Sequence, residues 1–552
     1  MAAPEPKRLR KALQQSKRAG PSRNPEPDNV FSPGKSPTAS VLVLLGVLAA
    51  QGACTVLGPD YEEPEVGWLG DWQTDLYGRL EEPEAGTQSD LSFWWMLFGD
   101  PTLNALVETA KRDNIGLRVA GLRILESRAV LGIAGSARYP QVQQVTGAVT
   151  YVTSREHGGA SNNGSNDLAS YDAGFGLGWE LDFWGRFRRG IESADAAFFA
   201  SLTNHQDAQV LLSAQVADLY YALLTTRMRI GIARANAEIQ RRSLEITQEL
   251  FDSGQDSELD VQQARTQYLT TVSTIPELEI VEVKVLNALS ALLGRPPGEV
   301  PELADMPDRL PGLDPSSIEA IPARLLTRRP DVRAAAWGVA AQSAQIGIAQ
   351  ADYYPAIAVV GTVGWAGNSL SATPDVGTLA AGPALTWNVF DHGRIRNNVR
   401  VQDARLQQAI AGFQNTVLQA AREIDDAAIT LVKTRERQAT LADAVLSARR
   451  ALDLARVRYR EGYSDFQRVL DAQRALFGAA ERDLVNKGNH ISAVIQFYKA
   501  LGGGWTEMPI GELLPETVRE KMRTRSNWGD LLDAPLPVNQ EGPVPAEGGT
   551  TP

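Results

Sequence analysis

The 552-residue chain has a single cysteine, Cys54, so it can form no internal disulfide. Its four histidines, His157, His205, His392 and His490, are scattered and have no ligand spacing to one another or to a second thiol. No run of about 20 apolar residues occurs, which excludes an ordinary transmembrane helix. Positive charge is also short: the formal net charge is −12, whereas phosphate binding needs a basic face. No nucleic-acid partner is expected. Phosphate-loop, zinc-helix and serine-elbow patterns are missing. Gly174-Phe-Gly176-Leu-Gly178 lacks phosphate-loop spacing and lies in an alternating segment. The sequence points to no enzyme, cofactor or metal.

What is present begins with a short apolar run, Val41–Ala50, preceded by Lys7, Arg8, Arg10, Lys11, Lys17 and Arg18. A basic region, a short apolar core and a small-residue exit read as an export signal. Cys54 follows at once, after Gln51-Gly52-Ala53. It is either a chance free thiol or the lipid-bearing first residue of a mature lipoprotein, whose cleavage box these small residues resemble.

The chain repeats itself. Trp179-Glu-Leu-Asp-Phe-Trp-Gly185-Arg186 returns as Trp387-Asn-Val-Phe-Asp-His-Gly393-Arg394. Leu250-Phe-Asp-Ser-Gly254 returns as Arg458-Tyr-Arg-Glu-Gly462, and Ala291-Leu-Leu-Gly294 as Lys499-Ala-Leu-Gly502. All three matches share an offset of 208 residues, the mark of a duplicated unit. In each copy a helical segment, about 102–138 and then 316–353, ends before Pro140 or Pro355. Two strands follow around a Gly/Ser/Asn-rich loop. Tyr171, Ala173, Phe175, Leu177, Trp179 and Leu181 alternate with Asp172, Gly174, Gly176, Gly178 and Glu180. Leu385, Trp387 and Val389 alternate likewise with Ala384, Thr386 and Asn388. Period-two patterning gives one apolar face and one small or polar face.

Arg186–Ser253 and Arg394–Glu461 contain no proline and are rich in helix-forming residues,. At 1.5 Å per residue each predicts a helix on the order of 100 Å long. Turns at Gly254 and Gly462 send the chain back in return helices ending at Gly294 and Gly502, the first kinked at Pro276. Leu441, Val445, Ala448, Leu452, Ala455 and Tyr459 form the narrow 3–4 seam of a coiled coil,.

Four strands with one apolar face cannot close a barrel, and open edges are not tolerated in lipid. Three chains would supply twelve strands, within the range of membrane barrels, with Gly174, Gly176, Gly178 and Thr386 on the lumen side. Trp179, Trp387 and Tyr171 would suit an interfacial girdle. The sequence resembles the outer membrane factor family, the TolC/OprM/NodT group of channel lipoproteins. The resemblance rests on Cys54-Thr-Val-Leu-Gly-Pro-Asp60-Tyr61, Phe93-Trp-Trp95 and the paired Gly-Arg junctions. Arg458-Tyr-Arg-Glu-Gly462, Val469-Leu-Asp471-Ala-Gln-Arg and Phe497-Tyr-Lys-Ala-Leu-Gly-Gly-Gly-Trp505 complete it, and together they span Cys54 to Trp505.

The resemblance implies an α+β membrane protein. Its duplicated unit would give four strands per chain to a trimeric twelve-stranded β-barrel, continued by a long α-helical periplasmic barrel. The function implied is a passive exit channel in the bacterial outer membrane, lipid-anchored and opened by a periplasmic adaptor and an inner-membrane pump. The expected partition is a leader at 1–53, an anchored belt segment at 54–101, a first repeat at 102–294, a linker in the belt at 295–315, a second repeat at 316–504 and a disordered polar tail at 505–552. Asp471 matches the family's aspartate ring at the periplasmic mouth, with Gln263 at the equivalent point of the first repeat. Arg468, where some relatives carry a second aspartate, is expected with Asp471 at the constriction, and Arg468 or Arg474 is a candidate partner for Asp471. The alternative is an ordinary acid at a helix start. Gly254, Gly462 and Tyr463 are helix-capping positions that the family reading places against the adaptor. A pore-less coiled-coil structural or adaptor lipoprotein is the rival, but it gives the alternating strands no purpose. An autonomous porin gives none to the long helices.

Overall fold

A computed structural model describes residues 56–67, 91–154, 166–298, 300–312, 326, 328–367, 376–537 and 543. The leader, Cys54 and most of 316–329, the first part of the helix expected over 316–353, lie outside these residues.

Each repeat builds helices, a strand pair and a long helical hairpin. The first comprises α1 (Pro101–Asp113), α2 (Ile115–Ser136), β1 (Val142–Ser154), β2 (Asn166–Leu181), α3 (Arg186–Asp252) and α4 (Glu258–Leu292). The second comprises α5 (Pro330–Ala351), β3 (Ala356–Gly367), β4 (Val376–Thr386), α6 (Arg394–Arg460) and α7 (Phe466–Ala500). Helices α3 and α6 both have 67 residues, and α4 and α7 both have 35. Their ends keep the 208-residue offset seen in the motifs.

The helix ends explain that agreement. Gly254 and Gly462 take left-handed φ of +74° and +77°, which costs a glycine little. The Gly254 and Gln255 amides donate to the Phe251 and Leu250 carbonyls at 2.9 and 2.8 Å; those of Gly462 and Tyr463 donate to Tyr459 and Arg458 at the same distances. Carbonyls orphaned at the helix end are thereby paired. Gly294 and Gly502 close the return helices in the same way, with φ of +69° and +73°.

The long helices begin at left-handed Gly185 and Gly393. The Asp182 carboxylate accepts from the Phe187 and Arg188 amides, and Asp391 from the Gly393 and Ile395 amides. Those backbone donors hold the Asp391 carboxyl below the usual range. The predicted seam of α6 is observed: Leu452 is buried, Leu441, Val445, Ala448, Ala455 and Tyr459 are half-buried, and the residues between them are exposed.

Where the helical hairpins meet the short helices, an aromatic core forms. Trp94 stacks on Tyr498 at 5.6 Å, and the Tyr220 hydroxyl donates to Asp100 at 2.7 Å. Lys111 lies 4.6 Å from the Trp95 ring and donates to the Gly504 carbonyl at 2.9 Å.

Several expectations need correction. The helix read over 102–138 is two helices, because Asn114 is extended and its side chain accepts from the Leu117 amide at 2.9 Å to start α2. Strand β4 stops at Thr386, leaving Trp387 and Val389 outside it; the Trp387 indole donates to the Tyr353 carbonyl at 3.0 Å. The tail after Trp505 is not disordered throughout. It forms α8 (Ile510–Leu513) and α9 (Glu516–Arg525). Leu513, Leu514, Met522 and Leu532 enter the main core, and Arg128 donates to the Leu531 and Ala534 carbonyls.

Candidate functional site

The four strands form one antiparallel sheet in the order β1-β2-β3-β4, so β1 and β4 are edges with no partner among the described residues. Register lines up Val145, Phe175, Val363 and Leu379 in one row across all four strands. Val145 is 80%, Phe175 41% and Leu379 81% exposed, so this apolar face is bare. The next row, pointing to the other face, is Thr146, Gly174, Gly364 and Thr378, followed by Gln144, Gly176, Thr362 and Ala380. Thr386 pairs with Ala356 on that same small-residue face. Strand alternation is thus kept in register over the whole sheet.

Each strand pair hands over to its long helix through a tight junction. The Trp184 indole donates to the Pro355 carbonyl at 2.8 Å and stacks on Tyr354 at 4.5 Å. A strap from Val56 to Asp60 crosses this junction. Its Leu57 amide donates to the Trp184 carbonyl at 3.2 Å. The buried Arg189 donates to the carbonyls of Leu57 and Gly58 at 3.0 and 3.1 Å, to Asp60 at 2.7 Å and to Glu192 at 2.8 Å. A Cβ on Gly347 would meet the Leu57 carbonyl and the Arg189 side chain, so only a bare backbone on α5 lets the strap pass. In the sequence Asp60 stands out only as part of a motif and Arg189 not at all, because an arginine near a helix start carries no signal of what it clamps.

At the far end of the hairpins, the two tips adhere to each other. Leu452, Phe466, Val469 and Leu470 of the second hairpin bury Ala264 of the first, with Leu244 against them. The Tyr459 hydroxyl donates to Asp256 at 2.9 Å, and burial together with that carboxylate pushes its pKa up and keeps the phenol protonated. Asp471 lies past the first turn of α7 and is exposed. The helix dipole acts mainly on the first turn, which weakens the helix-start account of this acid. Gln467 donates to Asp471 at 3.1 Å, and Arg474 approaches it at 3.4 Å while donating to Gln267 of the first hairpin. Arg468 does not pair with Asp471; it turns to Asp465, 3.7 Å away. Gly254, Gly462 and Tyr463 sit at the tips, with Tyr463 largely exposed to solvent.

The family model for outer membrane efflux proteins matches residues 106–295 and 321–503, which are the two repeats. The chain belongs to the outer membrane efflux protein family. It is 30% identical to the probable efflux pump outer membrane protein SepC of Pseudomonas putida over 472 residues, 84% of this chain and 96% of that protein. Its identity to the pyoverdine export outer membrane protein OpmQ of the same species is 29%, over 75% of this chain and 88% of OpmQ. Among solved structures it resembles the outer-membrane channel OprN, with a TM-score of 0.70, 31% identity and coverage of 82% and 99%. It also resembles the open state of the Neisseria gonorrhoeae MtrE outer membrane channel, with a TM-score of 0.66, 25% identity and coverage of 81% and 98%. The chain is therefore an outer-membrane efflux channel component, and its sheet and paired hairpins are the parts from which such a channel is made.

Proposed function

We propose that three copies of this chain close their sheets into one twelve-stranded barrel in the outer membrane, with the long hairpins extending the duct into the periplasm. The observation that carries this reading is the bare, two-faced sheet whose edge strand on each side has no partner among the described residues. In lipid every backbone group at those edges needs a partner, and a neighbouring copy supplies it. The apolar rows then face lipid and the glycine and threonine rows face water. Chemistry is left to others: a periplasmic adaptor docks at the tips around Gly254, Gly462 and Tyr463, and an inner-membrane pump drives cargo into the duct. The rival reading, a pore-less coiled-coil lipoprotein, leaves the sheet without a use.

The strap supports an anchor near the strand–helix junction. Val56 touches the strand–helix junction at Gly185, and two residues reach at most about 7 Å. Acyl chains on Cys54 would therefore enter the bilayer at the base of the barrel. Mass spectrometry of the mature N-terminus is expected to show a lipidated Cys54, and an unmodified or absent Cys54 would remove the anchor from this account.

Asp471 is assigned the constriction. Three such carboxylates near a three-fold axis repel anions and draw cations, and their contacts with Arg474 are exposed and worth about 0.2–1 kcal/mol each. An adaptor can displace contacts of that size. Asp471→Ala is expected to raise resting single-channel conductance and weaken block by divalent cations. Recordings indistinguishable from wild type would deprive Asp471 of a gate role.

A further inference from the structure

The small-residue face of the sheet holds a charge pattern far from the tip. Over the described side chains of that face, β1 contributes Val142, Gln144, Thr146, Ala148, Thr150 and Val152, and β3 and β4 contribute only Ala, Val, Thr and Gly. No lysine or arginine is among them. Two acids are, both on β2: Asp172 and Glu180. Glu180 lies 3.9 Å from Arg186, which also reaches Asp352 at 3.5 Å. Asp172 is exposed and is set between Ala148 of β1 and Ala366 of β3, too short to shield it.

Position along the strand gives Asp172 its level. It is eight residues from Glu180 on β2, about 26 Å at 3.3 Å per residue and about 20 Å along the membrane normal at a tilt of about 40°. On the opposite face Tyr171 and Trp365, which pairs with Ala173, lie at the Asp172 level, whereas Trp179 lies beside Glu180. Aromatics at these two heights mark the two interfaces of a bilayer. Asp172 thus stands at the outer one, away from the helical duct.

We propose that Asp172 is a selectivity-determining residue at the outward end of the barrel, where three copies of its carboxylate favour cations over anions independently of Asp471. The proposal rests on the trimeric channel reading above. A carboxylate on the lipid face would be costly, which fixes its face toward the lumen, and with no base among the described side chains of that face the field of the three charges goes uncompensated there,.

The test reads reversal potentials across bilayers in a KCl gradient, with Asp471→Ala trimers as the reference so that the periplasmic mouth contributes no acidic ring. The reference is expected to remain cation-selective. Adding Asp172→Asn should lower the K⁺/Cl⁻ permeability ratio about two-fold or more, and Asp172→Lys should shift the reversal potential toward that of chloride. The effect should shrink as salt rises, because the Debye length falls from about 10 Å at 0.1 M to about 3 Å at 1 M. An equal permeability ratio in all three proteins overturns the proposal while leaving the channel intact. Absence of any conductance, in wild type as well as variants, overturns the channel reading and the proposal with it.

Discussion

Asp207, on α3, faces charged groups from three other helices: Asp331 and Arg329 at the start of α5, Glu423 on α6 and Lys499 on α7. Burial, then Asp331 and Glu423, push its carboxyl up to about 6 against the pull of Arg329 and Lys499. Arg329 itself is committed to Asp331 at 2.8 Å, Glu423 at 3.0 Å and the Ala500 carbonyl at 2.7 Å. The unfolded chain loses the Asp207 proton near pH 3.9, so between that value and about 6 the folded chain holds a proton the unfolded one has released. Stability consequently falls as pH rises through this window. Asp207→Asn is expected to stabilise the protein above pH 6 by on the order of 1–2 kcal/mol, with the gain fading toward pH 4. Thermal melts at several pH values check this, and a gain that does not vary with pH would contradict it. Nothing in the sequence singles out Asp207, because its neighbours come from positions more than a hundred residues away. Gly254 and Gly462, by contrast, are legible one residue at a time, since a left-handed helix end has a local signature.

Elements were readable wherever local rules agree. Long proline-free stretches bounded by glycine gave both 67-residue helices, and the α6 seam follows from spacing alone. The break at Asn114 was hidden because an asparagine among Lys111, Arg112 and Asp113 reads equally well as a helix surface. The tail was misjudged by composition: Ile510, Leu513, Met522 and Leu532 are few among many prolines and acids, yet each is buried. The strap lay out of reach for another reason, since its hold depends on Arg189, about 130 residues from its partners. Because Arg189 is almost wholly buried while Asp60 is mostly exposed, the two sides of this contact should differ in cost. Arg189→Ala leaves the strap carbonyls without donors and is expected to lower stability by about 2–3 kcal/mol. Asp60→Asn is expected to cost under about 1 kcal/mol. Denaturant or thermal unfolding in detergent gives both values, and equal losses would show that the strap is not held through Arg189.

For the whole molecule, duplication does more than repeat a shape. It places two strand pairs side by side in one sheet and two hairpins side by side at the tip, while making the hairpins unequal, because Asp471 stands in the second where the first repeat has Gln263. Sequence patterning disclosed the two faces of the sheet and the need for partners, but not the number of copies, which no intrachain contact encodes. The central claim is that β4 of one copy pairs with β1 of the next until three chains close the ring. The single native cysteine makes this directly measurable: in a Cys54→Ser background, cysteine pairs are placed along β1 and β4, beginning with Val149→Cys and Leu379→Cys, and oxidised in membranes. The account predicts covalent ladders that end at three chains for at least one register. Ladders that stop at two chains, run past three, or never form at any register would contradict it.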